Sequence, residues 1–79
     1  METTFDRVRR TLSDLFSLDP ASITNDTAQG ELEAWDSMGH LMLVEALEQE
    51  FETQLVPDEV ERMKTVAVAV EILDARRPA

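Results

Sequence analysis

EAWDSMGHLMLVEALEQEF (residues 33–51) is the stretch that decides the fold. An Asp-Ser pair stands at the head of an apolar, charge-laced run, with a Trp before it and a Gly-His after it. A helix turns about 100° per residue, so side chains can be assigned to faces. His40, Leu43, Val44, Leu47 and Phe51 fall on one side, which is expected to be core. Met38, Met42, Glu45 and Gln49 fall roughly opposite, with Gly39 and Ala46 flanking that outer face. Asp36 can accept hydrogen bonds from the free amides of the first turn, as an N-cap does. The helix is predicted from Asp36 or Ser37 to Phe51 or Glu52.

Working outward, Phe5, Val8, Leu12, Leu15 and Phe16 recur at steps of three and four. That stripe predicts a first helix over Thr4–Phe16, with Thr3 as N-cap and Asp6 completing a weaker capping box. Between the two helices runs SLDPASITNDTAQGELEAW (17–35). Asp19-Pro20 suits the start of one short helical turn, because Pro fits the first helical position. TNDT and QGE read as turns. Leu18, Ile23, Leu32 and Trp35 are spaced so that they can anchor this long loop to a core. Beyond the second helix, Pro57 opens a short third one, with Val60 and Met63 directed inward. TVAVAVEILDARR (65–77) alternates like a strand. It also carries a helical stripe of Val66, Ala69, Val70 and Leu73, and no second strand exists to pair with it. A fourth helix is predicted over Thr65–Arg76.

The 79 residues suffice for one small domain, 1–79. A domain of this size buries a modest core, and small domains often rely on disulfides or a structural metal. With no Cys and one His, disulfides and thiolate zinc sites are excluded. An all-α bundle of local contacts is the remaining solution. No secretory signal or membrane span is visible, so a cytoplasmic location is expected.

The net charge is −10, and its placement is uneven. From Thr11 to Glu61 there are 13 acidic residues and no Lys or Arg. Such a field repels nucleic acid and anionic membranes and attracts basic protein surfaces. Otherwise it is simply a solvated face that aids solubility.

Self-contained chemistry is poorly served. Ser37 and His40 lie one turn apart and invite a nucleophile–base reading. His40 is expected to face the core, however, and the Gly-x-Ser-x-Gly elbow is absent. The acidic residues lack the alternating ligands and central Gly of a calcium loop, so no metal site is expected. With two Gly in all, no Gly-rich loop cradles a phosphate. What Ser37 offers is a hydroxyl at a helix start, where free amides and the helix dipole favour an attached anion. That suits a serine modified by another protein, although most serines before a helix are ordinary caps.

Taken together, DSMGHLMLV (36–44), EALEQEFETQLVPDE (45–59) and MKTVAVAVEIL (63–73) resemble, in order, the motifs of the acyl carrier protein family. These are its attachment motif, the acidic end of its second helix with a Pro-led third helix, and the entry to its fourth. The resemblance covers nearly the whole chain. It implies a four-helix bundle with a short third helix and a long loop between helices one and two. It implies that Ser37 receives 4'-phosphopantetheine from coenzyme A through a phosphopantetheinyl transferase, and that acyl groups ride on the arm's thiol as thioesters. A carrier of this kind imports its sulfur, in keeping with a chain without Cys. It is not an enzyme but a monomeric shuttle between acyl-loading, condensing or tailoring enzymes with basic docking patches.

By the same resemblance Asp36 caps the helix and helps the transferase recognise the site. Met38, Gly39, Met42, Glu45 and Glu48 are expected to face partners. Two outer-face positions that are usually acidic in fatty-acid carriers are Gly39 and Met42 here. Met adapts readily at binding surfaces. WDSMGH (35–40) is similar to stand-alone carriers of specialised pathways such as polyketide assembly, and its Met-Gly also resembles D-alanyl carriers. A start Met and the lack of linkers point to a free-standing protein. The alternatives are an aminoacyl or D-alanyl carrier, or an acidic helical interaction module without cofactor.

Overall fold

Residues 2–76 are described by a computed structural model. Helix α1 (Thr4–Phe16) begins at a reciprocal cap. Thr3 Oγ1 accepts from the Asp6 amide and the Asp6 carboxylate accepts from the Thr3 amide, each at 3.1 Å. Two donors that the helix leaves free are thereby satisfied. Val8 and Leu12 of the stripe are fully buried, and Phe5, Leu15 and Phe16 pack half-buried around them. The helix stops at Ser17, which turns left-handed at φ 56°.

Helix α2 (Ser37–Phe51) starts at the Asp36 cap and ends at Glu52, also left-handed at φ 50°. It packs on α1, and the pairing is antiparallel, since Arg7 near the start of α1 meets Glu50 near the end of α2. Arg7 Nε donates to Glu50 Oε2 at 2.9 Å and its Nη2 to the Glu50 carbonyl at 2.7 Å. The same guanidinium lies over the Phe51 ring, 4.2 Å from its centroid. A cation therefore covers the negative end of the α2 dipole and one of its free carbonyls. Phe51, expected in the core, is only half-buried because its ring takes this contact.

Helix α3 (Pro57–Arg62) is six residues long, with Pro57 at its first position. The Glu59 carboxylate accepts from the Val56 amide at 3.0 Å. Met63, just past its end, is fully buried, and Val60 is half-buried. Helix α4 (Val66–Ala75) settles the Val-Ala ambiguity in favour of the helical stripe. Val66, Ala69 and Leu73 are buried, and Ile72, absent from that stripe, is buried with them. Val70 is half-buried, and Thr65 is the N-cap rather than the first helical residue. α4 packs on α1, and Thr4 Oγ1 donates to Asp74 Oδ1 at 2.7 Å where the two helices meet.

The long loop is held more firmly than its apolar anchors predict. Ile23 and Trp35 are buried, and Pro20–Ser22 forms a single 3-10 turn. In addition, residues 25–29 lie along the α3–α4 junction. The amide of Gln29 donates to the Lys64 carbonyl at 2.8 Å. The amides of Val66 and Ala67 donate to the Thr27 and Asn25 carbonyls at 2.9 and 3.0 Å. Ala28 and Thr65 form an isolated antiparallel bridge. These carbonyls serve two of the free amides in the first turn of α4, and Thr65 Oγ1 takes a third, from Val68. The loop thus doubles as a helix cap.

The described residues are therefore mostly helical, with four α-helices around one core. No helix among them is long and apolar enough to cross a membrane.

Candidate functional site

The site is the junction of the long loop with α2. Gly30, at φ 94°, makes a turn that returns the chain so that its amide donates to the Trp35 carbonyl at 3.2 Å. Trp35 is then driven fully into the core. Its indole Nε1 donates to His40 Nδ1 at 2.9 Å. The two ring planes lie 16° from parallel with centroids 6.1 Å apart. An indole nitrogen can only donate, so His40 Nδ1 is the acceptor and the ring proton sits on Nε2. That Nε2 donates to the Val60 carbonyl at 2.8 Å. One buried imidazole thereby ties the loop, α2 and α3 together. Neither ring nitrogen is left to take a proton from Ser37.

Asp36 Oδ1 accepts from the Gly39 amide at 2.8 Å, closing the first turn of α2. The cap function therefore belongs to Asp36, and Ser37 is the first helical residue. Ser37 is exposed, and among the described residues nothing hydrogen-bonds its hydroxyl. The amides of Ser37 and Met38 likewise have no protein partner among those residues, so two donors at the positive end of the helix face outward.

Gly39 differs from expectation. The helical wheel puts it beside the outer face, as a partner contact, yet it is buried. A Cβ there would run into the carbonyl oxygen of Ala34, with Ala34 C at 3.2 Å and Asp36 Oδ1 at 3.3 Å. The glycine lets the loop backbone close directly onto the first turn of α2. Glu48 is also only partly available: it is half-buried, and its Oε2 accepts from the Leu55 amide at 2.8 Å. It braces the α2–α3 loop.

Met38, Met42 and Glu45 are exposed. Leu41, outside the face that the sequence assigns to partners, joins them: Met38 is 73%, Leu41 65% and Met42 51% exposed. Residues three and four apart are neighbours on a helix surface, so these three make one apolar patch beside Ser37. The signal was present in the spacing, since Leu41 stands three residues from Met38.

On the α3 side of α2 lies an open, mainly apolar cleft of about 720 Å³. His40, Leu55, Pro57 and Val60 line it, with Gln29, Glu61 and Lys64 also contributing.

The acidic field is sharpened by internal pairing. Arg7 and Arg10 hold Glu50, Arg10 also meets Glu2, Arg9 holds Asp6, Arg62 holds Asp58 and Arg76 holds Glu59. For Glu50, burial opposes ionisation, but the Arg7 hydrogen bond and the charge of Arg10 outweigh it and keep the carboxyl below its ordinary range. Glu59 is held low by its hydrogen bonds from Arg76 and the Val56 amide. Glu33 and Glu45, flanking the start of α2, have no cationic partner among the described residues.

No model of a known protein family matches this chain.

Proposed function

We propose that the protein is a carrier of the acyl carrier type, with the four-helix bundle of that family, and that Ser37 is its attachment point. The observation that carries this reading is the separation of roles at the start of α2. Asp36 caps the helix, so the exposed Ser37 hydroxyl has no structural duty among the described residues. The residues present fit the arm. The free amides of Ser37 and Met38 and the helix dipole favour a phosphodiester at that hydroxyl. In the transfer, the Ser37 oxygen bonds to the phosphorus of 4'-phosphopantetheine as the pyrophosphate bond of coenzyme A breaks. The nucleotide half leaves with that electron pair. With both nitrogens of His40 engaged, the base that takes the serine proton comes from the transferase.

The exposed patch of Met38, Leu41 and Met42, with Glu45 beside it, is the surface that partners would read. Its apolar share fits specialised acyl or polyketide partners better than a purely charged docking face does. The cleft beside His40 is the candidate shelter for a carried chain. An aminoacyl or D-alanyl cargo would use the same attachment chemistry. The mass of the group found on the protein from its host separates these cargoes.

The test is intact mass after incubation with coenzyme A and a broad-specificity phosphopantetheinyl transferase. The expected result is the gain of one phosphopantetheine, abolished in Ser37→Ala. No gain in the folded wild-type protein refutes the carrier reading and leaves the acidic interaction module. A gain that survives Ser37→Ala refutes the assigned residue.

A further inference from the structure

The chain has four methionines and neither Cys nor Tyr. The three methionines among the described residues divide sharply. Met63 is fully buried, whereas Met38 and Met42 are exposed. Met38 and Met42 stand at i and i+4, so their side chains are neighbours on the surface of α2. Both thioethers therefore meet solvent within about one and a half helical turns of Ser37. The other readily oxidised side chains are shielded, since Trp35 is fully buried and His40 nearly so. No thiol is present to compete for an oxidant. Oxidation chemistry that reaches the described residues is thus directed to one spot, beside the serine.

We propose that Met38 and Met42 form a peroxide-responsive modification site, whose reversible oxidation to sulfoxides turns off recognition of the Ser37 face; the use of that face rests on the carrier reading. In each step a sulfur lone pair attacks one oxygen of hydrogen peroxide. The S–O bond forms as the O–O bond breaks. The departing hydroxide takes the proton left on the bound oxygen and leaves as water. The sulfur is oxidised by two electrons and the peroxide is reduced by two. A flexible apolar side chain thereby becomes a polar one that accepts hydrogen bonds. Two of the three side chains of the exposed patch change in this way, and Leu41 alone keeps its character. A partner that buries the patch would have to desolvate two sulfoxides without donors matched to them. The core is spared, because Met63 is sealed within it and neither Met38 nor Met42 belongs to it. The modification acts on recognition, not on the fold. Both sulfurs stay open to methionine sulfoxide reductases, which restore the thioethers.

The test has two arms. In the first, the folded full chain is treated with hydrogen peroxide, and each added oxygen is located by fragmentation of proteolytic peptides in a mass spectrometer. Met38 and Met42 should each gain one oxygen at least about tenfold sooner than Met63. Met1 lies outside the described residues and is read separately. Equal oxidation at Met63, or loss of the native Trp35 emission as Met38 and Met42 react, overturns the proposal. In the second arm the peroxide is removed, and the initial rate of phosphopantetheine transfer from coenzyme A by a broad-specificity transferase is measured. Oxidation should lower that rate about fivefold or more, and repair by methionine sulfoxide reductases should restore it. Met38→Leu combined with Met42→Leu is compared only with itself: whatever its own rate, peroxide should change it by less than about 1.5-fold. An unchanged wild-type rate, a fall that repair does not reverse, or an equal fall in the double variant refutes the proposal and leaves the carrier reading standing. No transfer to the unoxidised protein refutes the carrier reading, and this use of the two methionines with it.

Discussion

Replacing Gly39 with Ala tests whether the start of α2 is built on close backbone approach. In an open helix the change is favourable by about 1 kcal/mol, because Gly loses more backbone freedom on folding than Ala. At position 39 the new methyl would meet the Ala34 carbonyl oxygen, with Ala34 C at 3.2 Å and Asp36 Oδ1 at 3.3 Å. The obstacle is backbone, so no side-chain rotation relieves it. The segment Ala34–Asp36 has to lift, and that segment carries the Trp35–His40 hydrogen bond and the Asp36 cap. Overpacking of this kind costs about 1–3 kcal/mol, and a weakened cap adds about 1. After subtracting the helix-propensity gain, Gly39→Ala should destabilise the protein by about 2 kcal/mol. For a domain this small that lowers Tm by about 8–16 °C. The assay is urea unfolding followed by the fluorescence of Trp35, the single tryptophan. The exposed Glu45, on the same helix, is the internal control: Ala there should be more stable than Gly by about 1 kcal/mol. If Gly39→Ala is as stable as the wild type or more so, the close-approach argument is wrong and Gly39 is free for another role.

Trp35→Phe keeps most of the buried ring but strips the donor from His40 Nδ1, and should cost about 2–3 kcal/mol by chemical denaturation; a loss under about 0.5 kcal/mol would mean the bond is not made. Glu50→Gln tests the Arg7–Arg10 clamp through pH. The Glu50 carboxyl is held below its ordinary range, so its stabilisation is present above the unfolded value, about 4.3, and disappears as pH falls through the lower folded value. The variant should therefore be less stable by about 0.5–1 kcal/mol at neutral pH, as for a solvent-exposed pair, and converge with the wild type in acid; a constant gap in urea midpoints down to acid pH would refute the clamp. Ser17→Gly should raise stability by about 1 kcal/mol, since Ser17 ends α1 at φ 56° where a side chain is strained; an unchanged thermal midpoint would count against strain at that turn.

What the sequence made legible was what local chemistry dictates. The capping box of Thr3 and Asp6, the Asp36 cap and the Pro57 start depend on neighbours within four residues, and α1 and α2 lie where their stripes place them. What escaped depends on segments distant in the chain or on how a loop folds back. The helical wheel turns His40 inward but says nothing of the Trp35 donor, because that contact requires the loop to fold onto α2. Gly39 looked like a vacant surface position, since its neighbour is the carbonyl of Ala34 and no side chain announces it. Glu48 looked like free surface charge because its partner is the Leu55 amide, beyond the end of the helix. The pairing of residues 25–29 with the α3–α4 junction is backbone to backbone and leaves no trace in side-chain pattern.

The same distinction bears on Ser37. A serine that merely started the helix would have its oxygen committed to a first-turn amide, and here that amide is taken by Asp36. On the carrier reading, its surroundings also leave the modification to another protein. Glu33 and Asp36 are exposed within four residues of it, Glu45 lies two turns along α2, and five arginines are tied up in ion pairs elsewhere. An anionic cofactor approaching this face meets repulsion, and the one imidazole near it has both nitrogens engaged. On the carrier reading, a second protein must bring both the cations that hold coenzyme A and the group that takes the serine proton. On that reading, the acidic surface that discourages the cofactor alone would be the one that steers such a basic protein into place.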